Sequence, residues 1–209
     1  MTDTAQRLLA SATAAFASKG FHGTTTRDIA NGAGVTPGAV YVHHNSKEDL
    51  LYSISKLGHE KTLSLVRESA SIDGDPATRM AALVRNLVRW QAANHTSSRV
   101  VNFELPALSA EHLAEVLRMR HQVEEEFRAL VEAGVEQGVF TVPDADMAVV
   151  TLLSMCIDVS RWYRDDGRLS AAELGEHHSR MALRILGVAE AGTAVEPGRA
   201  KGTEGRTHP

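Results

Sequence analysis

A single cysteine, Cys156, is all that 209 residues contain, so no intrachain disulfide can staple this fold. That scarcity suits a reducing cytoplasm, where thiols stay free, and a cytoplasmic location is expected. Aromatic residues make up only 5% of the chain. Polar residues rarely alternate with β-branched or aromatic ones, so half-buried strands are not expected. The longest apolar-rich stretch, Met147 to Val159, is too short for a bilayer, which needs about 20 residues, and is followed by Arg161 and Arg164. No basic segment leads into an apolar run at the start, so neither a signal peptide nor a membrane role is expected. A P-loop, a dinucleotide fingerprint and a nucleophile elbow are also missing, and with them any expected cofactor. Cys156 sits inside an apolar run and reads as a small buried hydrophobe, not a nucleophile. His43-His44 and His177-His178, with Glu173 one helical turn before His177, come nearest to a metal set. No dense group of ligands surrounds them, so neither a metal site nor an enzyme is expected.

What remains is 43% hydrophobic and 23% charged, enough apolar material for a core in one large domain or two unequal ones. The net charge of −4 is unusual for a nucleic-acid binder, but it is unevenly spread. From Met1 to Lys47 four cations (Arg7, Lys19, Arg27, Lys47) face two anions (Asp3, Asp28), and three histidines join them. A locally positive segment steers a protein onto phosphate even when the total is negative.

Helical periodicity runs through the chain. Ala5, Leu8, Leu9, Ala12 and Phe16 form an amphipathic stripe that predicts a first helix ending near Gly20. Thr25 or Thr26 caps a short second helix with Asp28 in its first turn, and Gly32 and Gly34 end it. Thr36 caps a third helix with Pro37 at its first position, where a missing N–H costs nothing. Ser46 caps a fourth, with Asp49 three residues on. Asp75-Pro76 starts a helix reaching about Asn94, and a short helix through Val100 and Phe103 ends at Pro106. Ser109 opens a long helix that stops at Gly138, Asp144 opens another to Arg164, and Ser170 with Glu173 boxes the last. The expected fold is therefore all-α with about nine helices. Residues 1–50 are expected to form a first domain, residues 51–188 a second bundle, and residues 189–209, rich in Gly, Pro, Thr and charge, a disordered tail.

TRDIANGAGVTPGAVY, residues 26–41, contains two short helices joined by a glycine-bearing turn, the physical content of a helix-turn-helix. Ile29 and Ala30 face inward, Gly34 permits the turn, and Val35 and Val40 lock the second helix on the first. That helix offers Thr36, Pro37, Gly38, Ala39 and Tyr41 outward, and small side chains let its start sit deep in a major groove. Thr25, Thr26, Tyr41 and Lys47 lie at flanks and helix starts suited to phosphate contacts, and Arg27 and His43 complete the candidate set.

The longer run TTRDIANGAGVTPGAVYVHHNSKEDLL resembles the signature of the TetR family of transcriptional regulators. Two positions depart from the family pattern. His44 stands where the family usually has Phe, and Pro37-Gly38 replaces a more common Ser and small or basic residue. The resemblance implies a homodimer that binds a near-palindromic operator with half-sites about 34–36 Å apart, or a multiple of that. It also implies an interface built from the last two helices, Asp144–Arg164 and Ser170–Gly187. The first of these is apolar on nearly every face, a pattern that either a partner subunit or an ordinary monomer core explains. A small-molecule effector would lie inside the second bundle and, by shifting the fourth helix, release the DNA. Candidate lining residues are Trp90, Phe103, Met119, Phe127, Met155 and Trp162. Arg120, a charge on an apolar stripe, would pair with Asp158 or Glu124 or hold an anionic ligand. The run CIDVSRWYRDDGRLSAAEL resembles TetR-like regulators of lipid and steroid catabolism, some of which sense acyl-CoA thioesters. The rival expectation is an architectural or activating DNA-binding protein without an effector, which would have no cavity in its second bundle.

Overall fold

The computed structural model describes residues 3–188, and the expected tail lies outside them. Among the described residues the chain is helical throughout, with no strand. In order the helices are α1 (Asp3–Gly23), α2 (Thr26–Ala33), α3 (Pro37–His43), α4 (Lys47–Ala70), α5 (Pro76–Ala93), α6 (His95–Phe103), α7 (Ala110–Glu136), α8 (Ala145–Ile157), α9 (Val159–Trp162) and α10 (Ala171–Ile185). A 3₁₀ turn at Leu105–Ala107 joins α6 to α7.

Local chemistry places most of these boundaries. The hydroxyl oxygens of Ser46, Ser109 and Ser170, and the carboxylates of Asp75 and Asp144, each accept a backbone N–H in the first turn of the helix that follows. Ser170 and Glu173 form a complete capping box. Ser46 has only half of one: Asp49 accepts from the Asn45 N–H instead of returning to Ser46. Gly20 interrupts α1 with φ 71° and ψ 167°, a conformation open to glycine, so the amphipathic helix ends where its stripe predicts and one further turn follows. The expected helix from Asp144 to Arg164 is divided at Asp158 into α8 and the single turn α9, which ends at Trp162.

Two apolar clusters organise the packing. The first gathers Leu8, Phe16, Ile29, Val40, Leu50 and Ile54 from α1 to α4 and also takes in Val100, Val101 and Val116 from α6 and α7. The second holds Leu83, Leu87, Phe127, Leu152, Cys156 and Leu186, with neighbours from α4 to α10. α4 crosses residue 50 unbroken and serves both, with Leu50, Leu51 and Ile54 in the first and Leu63, Val66 and Ala70 in the second. Gly58 lets α4 and α6 approach closely, since a Cβ there would meet the Val101 side chain at 2.5 Å. Cys156 is fully buried, and burial pushes its thiol pKa up to about 12, so it stays protonated and inert.

Candidate DNA interface and ligand cavity

The turn between α2 and α3 is fixed by Gly34 at φ 66° and ψ 37°, the left-handed conformation that closes α2; its N–H donates to the carbonyls of Ala30 and Asn31. α2 begins on Thr25, whose hydroxyl oxygen accepts from the Asp28 N–H while the Asp28 carboxylate accepts from the Thr25 N–H. These hydrogen bonds, with Lys19 at 3.1 Å, hold the Asp28 carboxyl down at about 2. Thr36 stands at the start of α3 but makes no side-chain cap, so its hydroxyl is open to solvent. Pro37 and Gly38 are exposed beside it, Ala39 is half-buried, and Val40 is buried against α2. Tyr41 is 54% exposed, and its hydroxyl lies 3.5 Å from that of Thr26. His43 is exposed at the end of α3, and Thr26 is half-buried.

The four cations of this region differ in what they can still reach. Lys19 pairs with Asp28, and Arg7 pairs with Asp3 and donates to the Ala33 carbonyl. Lys47 was expected at phosphate. Its ammonium donates to the carbonyls of Phe21 (2.7 Å) and Thr24 (2.8 Å) and lies 4.2 Å from the centre of the Phe21 ring. Two of its three protons therefore tie α4 to the end of α1. Arg27 is exposed and has no ion pair or hydrogen bond among the described residues, which leaves it the freest cation for a phosphate. His44, in the usual phenylalanine position, is half-buried with Nδ1 3.7 Å from Asp49. Burial lowers its pKa, Asp49 opposes that, and His43 adds to it.

A second attachment joins α4 to the bundle. Glu48 accepts from the Ser109 N–H and from His112 Nδ1 at the start of α7, at 2.8 and 2.9 Å. The His112 ring stacks on Tyr52 with centroids 3.7 Å apart, and Glu115 takes both the Tyr52 hydroxyl and the Lys56 ammonium.

Between α4, α5, α6, α7 and α8 lies a cavity of about 790 Å³. His59, Leu87, Gln91 and Val123 are its buried inner lining, whereas Leu117, His121, Val150, Ser154 and Asp158 are exposed at its mouth. Of the residues expected to line a ligand site, Phe103, Arg120, Met155 and Asp158 meet here. The other four lie elsewhere. Trp90 borders a smaller cavity of about 330 Å³, Met119 packs on the first cluster, Phe127 is wholly buried in the second, and Trp162 is exposed with its ring against His178. Neither expected partner reaches Arg120: Glu124 accepts from Arg128 at 2.9 Å and Asp158 faces Arg161 at 3.3 Å. His59, Gln91 and Asn102 were not anticipated. His59 is detectable in hindsight, because with Ser55 it puts polar residues on the stripe that Leu51, Leu63 and Val66 make apolar.

His59 is 3% exposed, and its Nδ1 lies 2.8 Å from the Ser55 carbonyl. Burial pushes its pKa down to about 4; the bond to Ser55 opposes that shift and the Arg120 charge adds to it. Below its ordinary value of 6.5 the unfolded chain binds a proton that the folded protein refuses until about pH 4. Stability therefore falls as pH drops through that window, by about 2 kcal/mol at pH 5 from this group alone. Thermal melts at pH 7 and pH 5 should show the drop, and His59→Gln, which cannot titrate, should remove most of it. The part that persists belongs to His44 and His178, both also lowered by burial. An undiminished drop in the variant would mean that His59 is not held neutral.

Among the described residues no helix is long and apolar enough to cross a membrane, and no three His, Cys, Asp or Glu side chains gather as a metal site requires. Residues 8–54 match the description "Bacterial regulatory proteins, tetR family", and residues 73–186 match "Tetracyclin repressor-like, C-terminal domain". A solved regulatory protein of the tetR family from Rhodococcus RHA1 is 36% identical and superposes with a TM-score of 0.86, over 91% of this chain and 100% of that one. KstR2, an HTH-type transcriptional repressor of Mycobacterium tuberculosis, is 28% identical over 191 residues, 88% of this chain and 92% of the relative. Its solved structure, described as that of a ketosteroid transcriptional regulator, is 25% identical with a TM-score of 0.81, over 88% of this chain and 95% of that one. With both halves matched and a helix-turn-helix in place, this chain belongs to the TetR family of bacterial transcriptional regulators.

Proposed function

We infer that the protein is a homodimeric, ligand-responsive transcriptional repressor acting in the cytoplasm. Residues 1–50 read a near-palindromic operator through α2 and α3, and residues 51–188 dimerise and take a small apolar effector that releases the DNA. The observation that carries this reading is the 790 Å³ cavity walled by α4, the helix whose first residue, Lys47, is bonded to the end of α1. An occupant touches the element that holds the reading head, which an architectural DNA-binding protein has no need of. The likeness to KstR2, a repressor by name and a ketosteroid regulator by description, favours an effector drawn from lipid or steroid breakdown. An acyl-CoA-like molecule also suits the second half of the site. Phe103 lines both the main cavity and another of about 500 Å³, where Arg99, bonded to the Ala17 carbonyl, and Arg161, paired with Asp158, bring cations for phosphate beside Glu104.

A gel-shift titration against DNA upstream of the protein's own gene, at fixed salt with unlabelled competitor, tests the reading. A specific complex released by a member of an apolar or acyl-CoA panel is expected. Tyr41→Ala should weaken that complex about tenfold and leave the dimer intact, because one exposed contact beside the groove is lost. Binding that depends only on salt, or an unchanged Tyr41→Ala, would move the reading head away from α3.

A further inference from the structure

The cavity wall holds a buried imidazole with an unmet acceptor and a half-buried guanidinium that no side chain pairs. The Ser55 carbonyl can only accept, so His59 Nδ1 carries the hydrogen, and in the neutral imidazole Nε2 is a bare acceptor. That Nε2 is buried and has no partner among the described residues. Arg120, half-buried on α7 and near enough for its charge to bear on His59, has donors only. It makes no ion pair or hydrogen bond among the described residues; of the carboxylates lining the same cavity, Glu124 pairs with Arg128 and Asp158 with Arg161. Leu87, Val123, Leu153 and Met155 give the cavity apolar walls, and Thr62, Gln91 and Asn102 add polar groups beside them. A buried acceptor left without a partner weakens a fold unless something else satisfies it, and a part-buried cation beside it favours an anionic oxygen.

We propose that this pair recognises an apolar effector bearing a hydroxyl beside a carbonyl or carboxylate: the hydroxyl donates to His59 Nε2 and the neighbouring oxygen accepts from Arg120. The proposal rests on the effector reading above and sharpens it to the hydroxyacyl class of ligand. A plain hydrocarbon leaves both groups unmet, a fatty acid leaves His59 without a donor, and an alcohol leaves Arg120 without an anion.

Isothermal titration of the full-length protein with 3-hydroxydecanoate, decanoate and 2-decanol tests it directly. The hydroxy acid should bind at least tenfold more tightly than either of the others. His59→Leu should bring the hydroxy acid down to the level of decanoate, whereas His59→Gln, which places an amide oxygen where Nε2 stood, should keep most of the preference. Arg120→Met should bring it down to the level of 2-decanol. Equal affinities for the three ligands in the native protein, or no binding of 3-hydroxydecanoate, would overturn the proposal, and neither result needs a variant to fold. A gel shift with the same compounds separates this inference from the one beneath it. Release of the operator without discrimination among ligands sinks the paired recognition and leaves the sensor. Discrimination without release leaves the paired site and sinks the effector role.

Discussion

Leu152→Arg should yield a chain that does not fold cooperatively. Leu152 is 0% exposed within the second cluster, surrounded by apolar side chains from several helices. Losing a buried leucine costs about 2–5 kcal/mol, and an arginine there would bring a charge with no partner to receive it. Together these exceed about 5 kcal/mol, the lower end of what a whole domain has to spare. Circular dichroism during heating checks the expectation, which is loss of the cooperative transition. A normal melt would mean that α8 does not bury this residue. From the sequence, a charge at Leu152 or Leu153 on the apolar α8 is expected to break the dimer or the fold. The structure sends Leu152 into the subunit's own core and Leu153 to the cavity wall, so neither isolates the contact between subunits.

The dimer is better tested on the exposed face of α8. Met147 (57% exposed) and Val150 (49%) form a stripe with Thr151 and Ser154, the stripe that reaches the cavity mouth at Val150 and Ser154, and Trp162 on α9 and Met181 on α10 are exposed as well. Met147→Glu with Val150→Glu should place repelling charges there while leaving the subunit core untouched. Sedimentation should show monomers with a near-native melt. Operator affinity should fall by about a hundredfold or more, because the two half-sites would no longer be gripped by one linked pair of heads. A persistent dimer would place the interface on another face.

Helix boundaries were legible in the sequence because they depend on contacts three or four residues apart. Thr25 with Asp28, Ser170 with Glu173, Asp75 before Pro76 and Gly34 each act on their own turn. The break at Asp158 was not legible, and no local breaker residue marks it. The cavity was half legible. Arg120 stood out as a charge on an apolar stripe, but Phe127 and Met155 look alike in one dimension, and only the facing helices decide that one fills the core while the other borders a void. Lys47 shows the same limit: its sequence position fits a phosphate contact, and only the tertiary fold brings the Phe21 and Thr24 carbonyls within its reach.

Those two carbonyl bonds have a geometric consequence. α4 is 24 residues long, and at 1.5 Å per residue it is a rod of about 36 Å. From His59 to Lys47 is a lever arm of about 18 Å, so a tilt of roughly 5° about the level of the cavity swings its tip by about 1.6 Å. Because Lys47 grips the end of α1, the helices α1 to α3 ride with that tip as one body. Two-fold symmetry changes the separation of the two heads by about 3 Å, close to the 3.4 Å rise between base pairs, and an effector small enough to sit beside one imidazole can thereby put the pair of heads about one step out of register with the two half-sites.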